Sequence, residues 1–297
     1  MPGTNHRSGF VNIVGNPNVG KSTLMNALVG ERLSIVTSKA QTTRHRIMGI
    51  VNGDDYQIVY CDTPGILKPK YRLQESMMDF VDTAMGDADV ILYVTDVVEQ
   101  PDKNEDYVAR LAALTCPVVL VINKIDKSDQ ERVASLAAWW RERLPKADIF
   151  AASALERFNV EQIFERIREL LPQSPPWYDK DMFTDRSLRF FASEIIREKI
   201  LENYEKEIPY CTEVVIEEFR ESEERYDIRA VINVMRPSQK GIIIGKGGAA
   251  LKKTATAARI EMEHFFEKKV FLTVYVKVEE NWRDDRGMLR RFGYIQD

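Results

Sequence analysis

The chain has 297 residues, of which 44% are hydrophobic and 30% charged, with a net charge of −4. This length accommodates two domains with real cores, and the acidic balance argues against a protein coated in nucleic acid while leaving room for a local basic patch. The three cysteines, Cys61, Cys116 and Cys211, fit neither a zinc spacing nor a disulfide framework, and the expectation for Cys61 and Cys211 is buried packing in a reducing compartment. Residues 1–8 lack the apolar core of a signal peptide, and no apolar run is long enough to span a bilayer. The expectation is a soluble, cytoplasmic protein whose membrane contact, where it exists, is peripheral.

In chain order, the first apolar run, 10–14, reads as a buried strand. It leads into Gly15-Asn16-Pro17-Asn18-Val19-Gly20-Lys21-Ser22, and Thr23 opens a helical segment. Two glycines at this spacing, followed by Lys and Ser between a strand and a helix, form a phosphate loop. Its glycines turn backbone N–H groups toward a phosphate, and the helix N-terminus adds its positive end. Lys21 would reach the β- and γ-phosphates, and the Ser22 hydroxyl would ligate Mg²⁺. Lys39-Ala40-Gln41-Thr42-Thr43-Arg44 follows before the next strand. In a GTPase this is the first switch, with one threonine hydroxyl completing the Mg²⁺ shell; Thr43 is preferred over Thr42.

Strand-like runs at 46–51 and 56–61 flank Asn52-Gly53-Asp54-Asp55, a turn signal that predicts an antiparallel hairpin. Directly after it comes Asp62-Thr63-Pro64-Gly65. Asp62 would hold Mg²⁺ through water, and the Gly65 N–H would face the γ-phosphate. Further buried strands are expected at 90–95, 118–122 and 149–152. Asn123-Lys124-Ile125-Asp126 follows one of them. The Asp126 carboxylate can accept from guanine N1–H and the exocyclic amine, a donor pair that adenine lacks, while Asn123 and the Lys124 stem support the base and loop. Ser153-Ala154-Leu155 follows the last strand and would meet guanine O6 through its backbone. Strands alternating with helices predict a doubly wound α/β sheet, mostly parallel, with one antiparallel edge strand. These readings assign catalytic roles to Lys21, Thr43 and Gly65.

Pro172-Gln173-Ser174-Pro175-Pro176 reads as a linker, so the expected division is 1–172, a linker at 173–187, and a second domain at 188–297. The second part reads as helix 187–204, strands 212–220 and 226–235, a glycine-rich turn, helix 249–266 and strand 270–278. Gly245-Lys246-Gly247-Gly248 sits between apolar Ile242–Ile244 and a helix. In this helix–strand–strand–helix–strand order it fits the loop of a type II KH domain, which clamps about four nucleotides of a single strand. Between residues 236 and 260 lie six basic residues (Arg236, Lys240, Lys246, Lys252, Lys253, Arg259) and no acidic one, whereas 213–224 carries six acids and one arginine. That division implies one oriented basic face. Ile242, Ile243, Ile244 and Leu251 could floor a groove for bases. The C-terminal segment from Trp282 to Tyr294 interleaves aromatics with arginines and suits base stacking and helix docking equally. Trp139-Trp140 is expected in the core.

The five nucleotide motifs resemble the translation-factor-like branch of the P-loop GTPases, which implies a nucleotide-gated switch with in-line attack of water on the γ-phosphate. Ile66 stands where Ras-like enzymes carry a water-orienting glutamine. GTPases with this substitution obtain help from a partner or from K⁺, and Asn18 matches the asparagine that ligates K⁺ in relatives with a Gly-x-Pro-Asn-x-Gly-Lys-Ser loop. A GTPase domain, a short Pro-rich linker and a C-terminal KH domain together resemble the bacterial Era family. Stretches such as Lys39-Ala40-Gln41-Thr42-Thr43-Arg44-His45-Arg46, Glu194-Ile195-Ile196-Arg197-Glu198-Lys199 and Leu289-Arg290-Arg291-Phe292-Gly293-Tyr294 carry the likeness. The resemblance implies GTP and GDP as ligands, Mg²⁺ and K⁺ as cofactors, and the 3′ end of small-subunit ribosomal RNA and the 30S subunit as partners. It also implies a role in assembling that subunit and peripheral contact with the inner membrane. The alternative from a different class is a membrane-linked signalling switch whose second domain binds protein.

Overall fold

The computed structural model describes residues 6–100 and 105–295. Among them, packing groups residues up to 34, 43–68 and 77–185 in one unit, and 35–42, 69–76 and those from 186 onward in another.

The first unit is built on β1 (Arg7–Gly15), α1 (Lys21–Val29), β2 (Ile47–Asn52), β3 (Tyr56–Asp62), α2 (Arg72–Gly86, whose first turn belongs to the second unit), β4 (Val90–Asp96), α3 (Glu105–Ala112), β5 (Val118–Asn123), α4 (Gln130–Arg143), β6 (Asp148–Ala151) and α5 (Val160–Leu170). The sheet order is β2-β3-β1-β4-β5-β6, parallel except for β2, which pairs antiparallel with β3 across the 52–55 turn. Every residue of β4 and β5 is buried, which is why these strands read as continuous apolar runs rather than alternating ones. The core side chains include Ile13, Leu24, Ile58, Leu92 and Leu120, all fully buried, and Cys61 is buried with them. Trp140 packs edge-on against Tyr93 inside the core, while Trp139 is half-buried beneath the Arg143 guanidinium.

The order reverses at β1, with β3 on one side and β4 on the other. A sheet of this type opens a crevice at such a switch point, outside the carboxyl ends of its strands. The topology therefore sets the loop after β1 where a ligand can enter.

The second unit contains α6 (Leu188–Asn203), β7 (Glu213–Glu221), β8 (Arg225–Val234), α7 (Pro237–Ile244), α8 (Ala249–Phe265), β9 (Lys269–Val278) and α9 (Arg286–Arg291). Ser187 caps α6 by accepting from the Phe190 N–H. Strand β8 lies between an antiparallel β7 and a parallel β9. Helices α6 and α8 contribute Ile196, Ile200, Ala258 and Met262 to one core with Ile228 and Ile232 of β8.

One expectation requires correction, that Ile243 floors a groove, and the structure adds detail at three places. Residues 173–185 are paired along their length: the Gln57 amide oxygen accepts from Trp177 and Tyr178 N–H, Ile50 N–H donates to the Phe183 carbonyl, and Thr184 Oγ1 donates to the Met48 carbonyl. Paired backbone ties this segment to the β2–β3 side of the first unit, so the packing boundary falls at 185/186. The run before the glycine loop is helical (α7), with Pro237 at a position where its missing N–H costs nothing. Because that helix turns Ile243 wholly into the core, only its neighbours Ile242 and Ile244 remain to line a surface. The aromatic C-terminus serves docking: Trp282 is fully buried with its Nε1–H donating 3.0 Å to the Cys211 carbonyl, and Tyr294 donates 2.8 Å to Glu213.

Candidate nucleotide site and nucleic-acid interface

The phosphate loop follows β1 directly. Gly15 has φ of 151°, and a Cβ there would lie 2.1 Å from the Val94 carbonyl oxygen, so only glycine fits where the loop leaves the sheet. Gly20 has φ of 97°, and its missing Cβ leaves room for Asn123 Nδ2. Asn123 uses that room: its Nδ2 donates 2.8 Å to the Val19 carbonyl, and its Oδ1 accepts from the Ala154 N–H at 3.0 Å. One buried asparagine thus joins the phosphate loop to both base-side loops. Pro17 and the exposed Asn18 form the outer rim, with Asn18 in the left-handed region.

Lys21, at the start of α1, is buried with its Nζ donating to the Gly15 and Asn16 carbonyls at 3.1 and 2.9 Å. Burial pushes its pKa down to about 8, against the upward pull of Asp62 and Glu99. Three hard oxygen donors meet beside it. Ser22 Oγ donates 2.6 Å to Asp62 Oδ2, Thr43 Oγ1 stands 3.2 Å from the same oxygen, and the two hydroxyls are 2.9 Å apart. The other carboxylate oxygen, Asp62 Oδ1, is buried without a hydrogen-bond partner. Burial raises the Asp62 pKa, opposed by Lys21 and the hydroxyl bonds. Two hydroxyls and a carboxylate with an unspent lone pair fit Mg²⁺, which prefers oxygen ligands. Thr42 engages elsewhere, its Oγ1 donating 2.6 Å to the Lys39 carbonyl.

Thr63 donates to the Ile13 carbonyl at 2.7 Å, and the Ile66 N–H donates to the Gly15 carbonyl at 3.0 Å. These bonds draw the 62–65 turn against the phosphate loop. A Cβ on Gly65 would lie 2.7 Å from Pro17 backbone, so that approach requires glycine. Ile66 is buried and offers no polar group to water.

On the base side, the Asp126 carboxylate is exposed, and Ser153 Oγ donates 2.6 Å to its Oδ1. Lys124 takes a left-handed backbone, and its Nζ bridges the Asn18 carbonyl and Asp96. Leu155 is exposed on the same loop. The arrangement also recruits two acids that the sequence motifs did not mark. Asp96 is buried beside Asn123 in the parallel register of β4 and β5, and it accepts from the Val98 and Glu99 N–H groups. Glu99 accepts at 2.6 Å from both Asn16 Nδ2 and Thr95 Oγ1. Asp96 ending an apolar strand parallel to the one before Asn123 was the only signal available.

In the second unit, Gly245, Gly247 and Gly248 all have positive φ (70°, 59° and 80°), so the turn between α7 and α8 depends on glycine throughout. A Cβ at Gly245 would come 2.6 Å from the Ala250 Cβ. Lys246, Lys252 and Lys253 are exposed, Ile244 is half-buried and Ile242 is exposed. Arg259 is committed to Glu263 at 2.8 Å. An exposed three-glycine turn opening a helix, with cations and aliphatic side chains beside it, can accept phosphates and apolar base faces.

The fold and these residues define a P-loop GTPase domain joined to a KH module. The family model for a 50S ribosome-binding GTPase matches residues 10–124, and that for a KH domain matches 207–283. The chain is 43% identical to the GTPase Era of Geobacter metallireducens over 97% of its own length and 98% of the relative's. It is equally identical to that of Clostridium kluyveri, over 97% and 99%. Among solved structures, Aquifex aeolicus Era bound to GDP and aluminium fluoride superposes with a TM-score of 0.93 at 38% identity, covering 98% of this chain and 100% of the other. An Era complex with MgGDPNP and nucleotides 1506–1542 of 16S ribosomal RNA matches with the same score, identity and coverage. The chain belongs to the Era family of GTPases, and it hydrolyses GTP. No helix among the described residues is long and apolar enough to cross a membrane.

Proposed function

We propose that this GTPase is a Mg²⁺-dependent, K⁺-stimulated switch that binds the 3′ end of small-subunit ribosomal RNA through its KH module and assists assembly of the 30S subunit. The observation that carries the catalytic half is the meeting of Ser22, Thr43 and Asp62 beside the buried Lys21. Ser22 and Thr43 would hold Mg²⁺, with Asp62 behind them through water. Held there, Mg²⁺ would supply positive charge against the β- and γ-phosphates. Lys21 exchanges its two loop carbonyls for phosphate oxygens. The Gly65 N–H points a donor at the γ-phosphate, where charge develops. Asp126, oriented by Ser153, accepts the guanine N1–H and amine, so GTP is favoured over ATP. Ile66 cannot orient water, and K⁺ on Asn18 would supply positive charge near the transferring group.

For the RNA half, the reading rests on the Gly245–Gly248 turn with Lys246, Lys252, Lys253 and Ile244, and on the relative solved with 16S nucleotides. The proposed boundaries remain a GTPase domain at 1–172 and a KH domain at 188–297, in a cytoplasmic protein with peripheral contact to the inner face of the cell membrane. The test is GTP hydrolysis in KCl and in NaCl, with and without a single strand from the 3′ end of 16S RNA. Faster turnover in KCl, and RNA stimulation that needs about tenfold more RNA in Lys246→Asp, are expected. Equal rates in both salts remove the K⁺ role, and unchanged RNA response in the variant removes the loop from recognition.

A further inference from the structure

A short turn after β4 reaches the phosphate loop at two points. Asp96, the last residue of β4, lies beside Asn123 in the strand register and is 4% exposed. Both of its carboxylate oxygens are engaged. Oδ1 accepts from the Val98 and Glu99 N–H groups at 2.9 and 2.8 Å, and Oδ2 accepts from Lys124 Nζ at 2.6 Å. The first two bonds close the turn and direct Glu99, whose carboxylate accepts from Asn16 Nδ2 at 2.6 Å. The third holds an ammonium that also donates to the Asn18 carbonyl. The Lys124 stem runs beside the phosphate loop on its way there, with Cε 4.0 Å from where a Cβ on Gly20 would stand. One carboxylate thus reaches Asn16 through Glu99 and Asn18 through Lys124, and every residue in these contacts belongs to the first unit.

Two features set this contact apart from ordinary packing. Asp96 is a charge withdrawn from water, which an apolar strand end would have spared the fold. Lys124 holds a left-handed backbone with φ of 60°, a region that a Cβ disfavours, and it does so as the residue that opens the 125–127 turn carrying Asp126. An ion pair anchored to β4 at one end, with the Asn18 carbonyl as second acceptor, decides where the lysine stem lies. Through the strained backbone of Lys124 it also steadies the turn on which Asp126 follows. A lysine without the Asp96 partner would sample many rotamers, and its ordering would then fall on nucleotide binding.

We infer that Asp96 is a positioning residue for guanine nucleotide, fixing Lys124 between the phosphate loop and the base-side loop before nucleotide arrives. The inference rests on the reading of 15–22 and 123–126 as the loops that hold phosphate and guanine. Base and phosphate loop stay in place while the γ-phosphoryl group reacts, so the contact serves ground state and transition state alike. It therefore supports binding rather than the chemical step.

The test uses the full chain and Asp96→Asn. The new amide keeps an oxygen for the Val98 and Glu99 N–H groups, so the turn stays closed, and it presents N–H groups to Lys124 where Oδ2 stood. GDP affinity should fall about tenfold, the size of one bond to a charged group, through faster dissociation and with unchanged binding stoichiometry by calorimetry. In turnover, KM for GTP should rise by a similar factor while kcat stays within about twofold of wild type. A merely destabilised protein would instead lose kcat in proportion to its active fraction and keep its KM. Lys124→Met should weaken GDP at least as much, and adding Asp96→Asn to it should cost at most about twofold more, because the ion pair is already gone. If Lys124→Met weakens GDP while Asp96→Asn keeps wild-type affinity and KM, or if the two losses multiply in full, Asp96 does not act through Lys124 and the inference is overturned. A fall in kcat at constant KM overturns it as well. If Lys124→Met binds GDP as the wild type does, the underlying reading of the 123–126 loop fails instead.

Discussion

In the first unit Lys21, Asp62 and Asn123 are buried and bonded to backbone or to one another, whereas in the second Lys246, Lys252 and Lys253 stand in solvent beside three glycines. The difference follows from what each site must accomplish. A phosphate transfer needs charges and dipoles fixed before the reaction, in a place where water cannot screen them. A single strand of RNA is a flexible polyanion, and exposed cations attract it while a side-chain-free turn lets its backbone approach. One site is held by interlocked polar bonds, the other is shaped by a turn of positive-φ glycines. Damage to the first should therefore be large and specific to nucleotide. Damage to the second should be smaller and depend on salt.

The largest effect is expected for Asp126→Asn. The change puts an amide donor in place of one oxygen of the carboxylate that, in the proposed reading, would accept from two guanine donors, while the remaining oxygen can still accept from Ser153. Two bonds to a charged acceptor, at about 1.5–3 kcal/mol each, amount to about 10²- to 10⁴-fold in GTP affinity. Affinity for xanthine nucleotides, whose base offers an acceptor to the new amide, should rise, and competition against labelled GDP measures both. Equal loss of all nucleotides would mean that the loop had collapsed rather than changed its selectivity. A smaller effect is expected at Lys246→Asp: an RNA affinity lower by about tenfold, with the slope of log affinity against log salt reduced by about one. GTP affinity measured without RNA should stay at the wild-type value. Should RNA binding survive with its salt slope intact, Lys246 does not face phosphate.

Much of the first site was legible because each motif follows a strand, and parallel strands deliver their carboxyl ends to one edge of the sheet. Gly15–Ser22, Asp62–Gly65, Asn123–Asp126 and Ser153–Leu155 could be placed together without coordinates for that reason. Asp96 and Glu99 could not, since a lone acid after an apolar strand has many uses; only the register with β5 gives Asp96 its neighbour. The hairpin was legible through its turn residues. In the second unit α7 was not, because Ile242–Ile244 is short and apolar on every side, a pattern shared by strand and buried helix. The packing of 173–185 and the burial of Trp282 were hidden too. Both depend on contacts with residues more than 70 positions away (Gln57 and Cys211), which composition cannot express.

The smallest effect sharpens the comparison further, because it concerns a charge that only the buried site can perturb. Free Lys21 would titrate near 10.5, but burial in the folded protein pushes it down to about 8. Between these values the unfolded chain holds more protons than the folded one, so the folded protein gains stability as pH rises from about 8 toward 10.5. Below 8 the ammonium remains buried, at a cost on the order of a few kcal/mol. Phosphate reverses the sign. A polyanion beside Nζ favours the charged form, so nucleotide binding raises the Lys21 pKa and draws a proton from solution wherever the free site is deprotonated. Uptake should be negligible at pH 7, reach about half a proton near pH 8 and grow to pH 8.5. Calorimetric titration of GDP in two buffers of different ionisation enthalpy reads this number directly. Lys246, exposed and already charged, should contribute nothing, and Lys246→Asp should leave the uptake unchanged. Lys21→Arg, which stays protonated throughout, should abolish it. Buffer-independent enthalpies at pH 8.5 would show that Lys21 keeps its proton in the empty site, and that its burial is less complete than its contacts with Gly15 and Asn16 require.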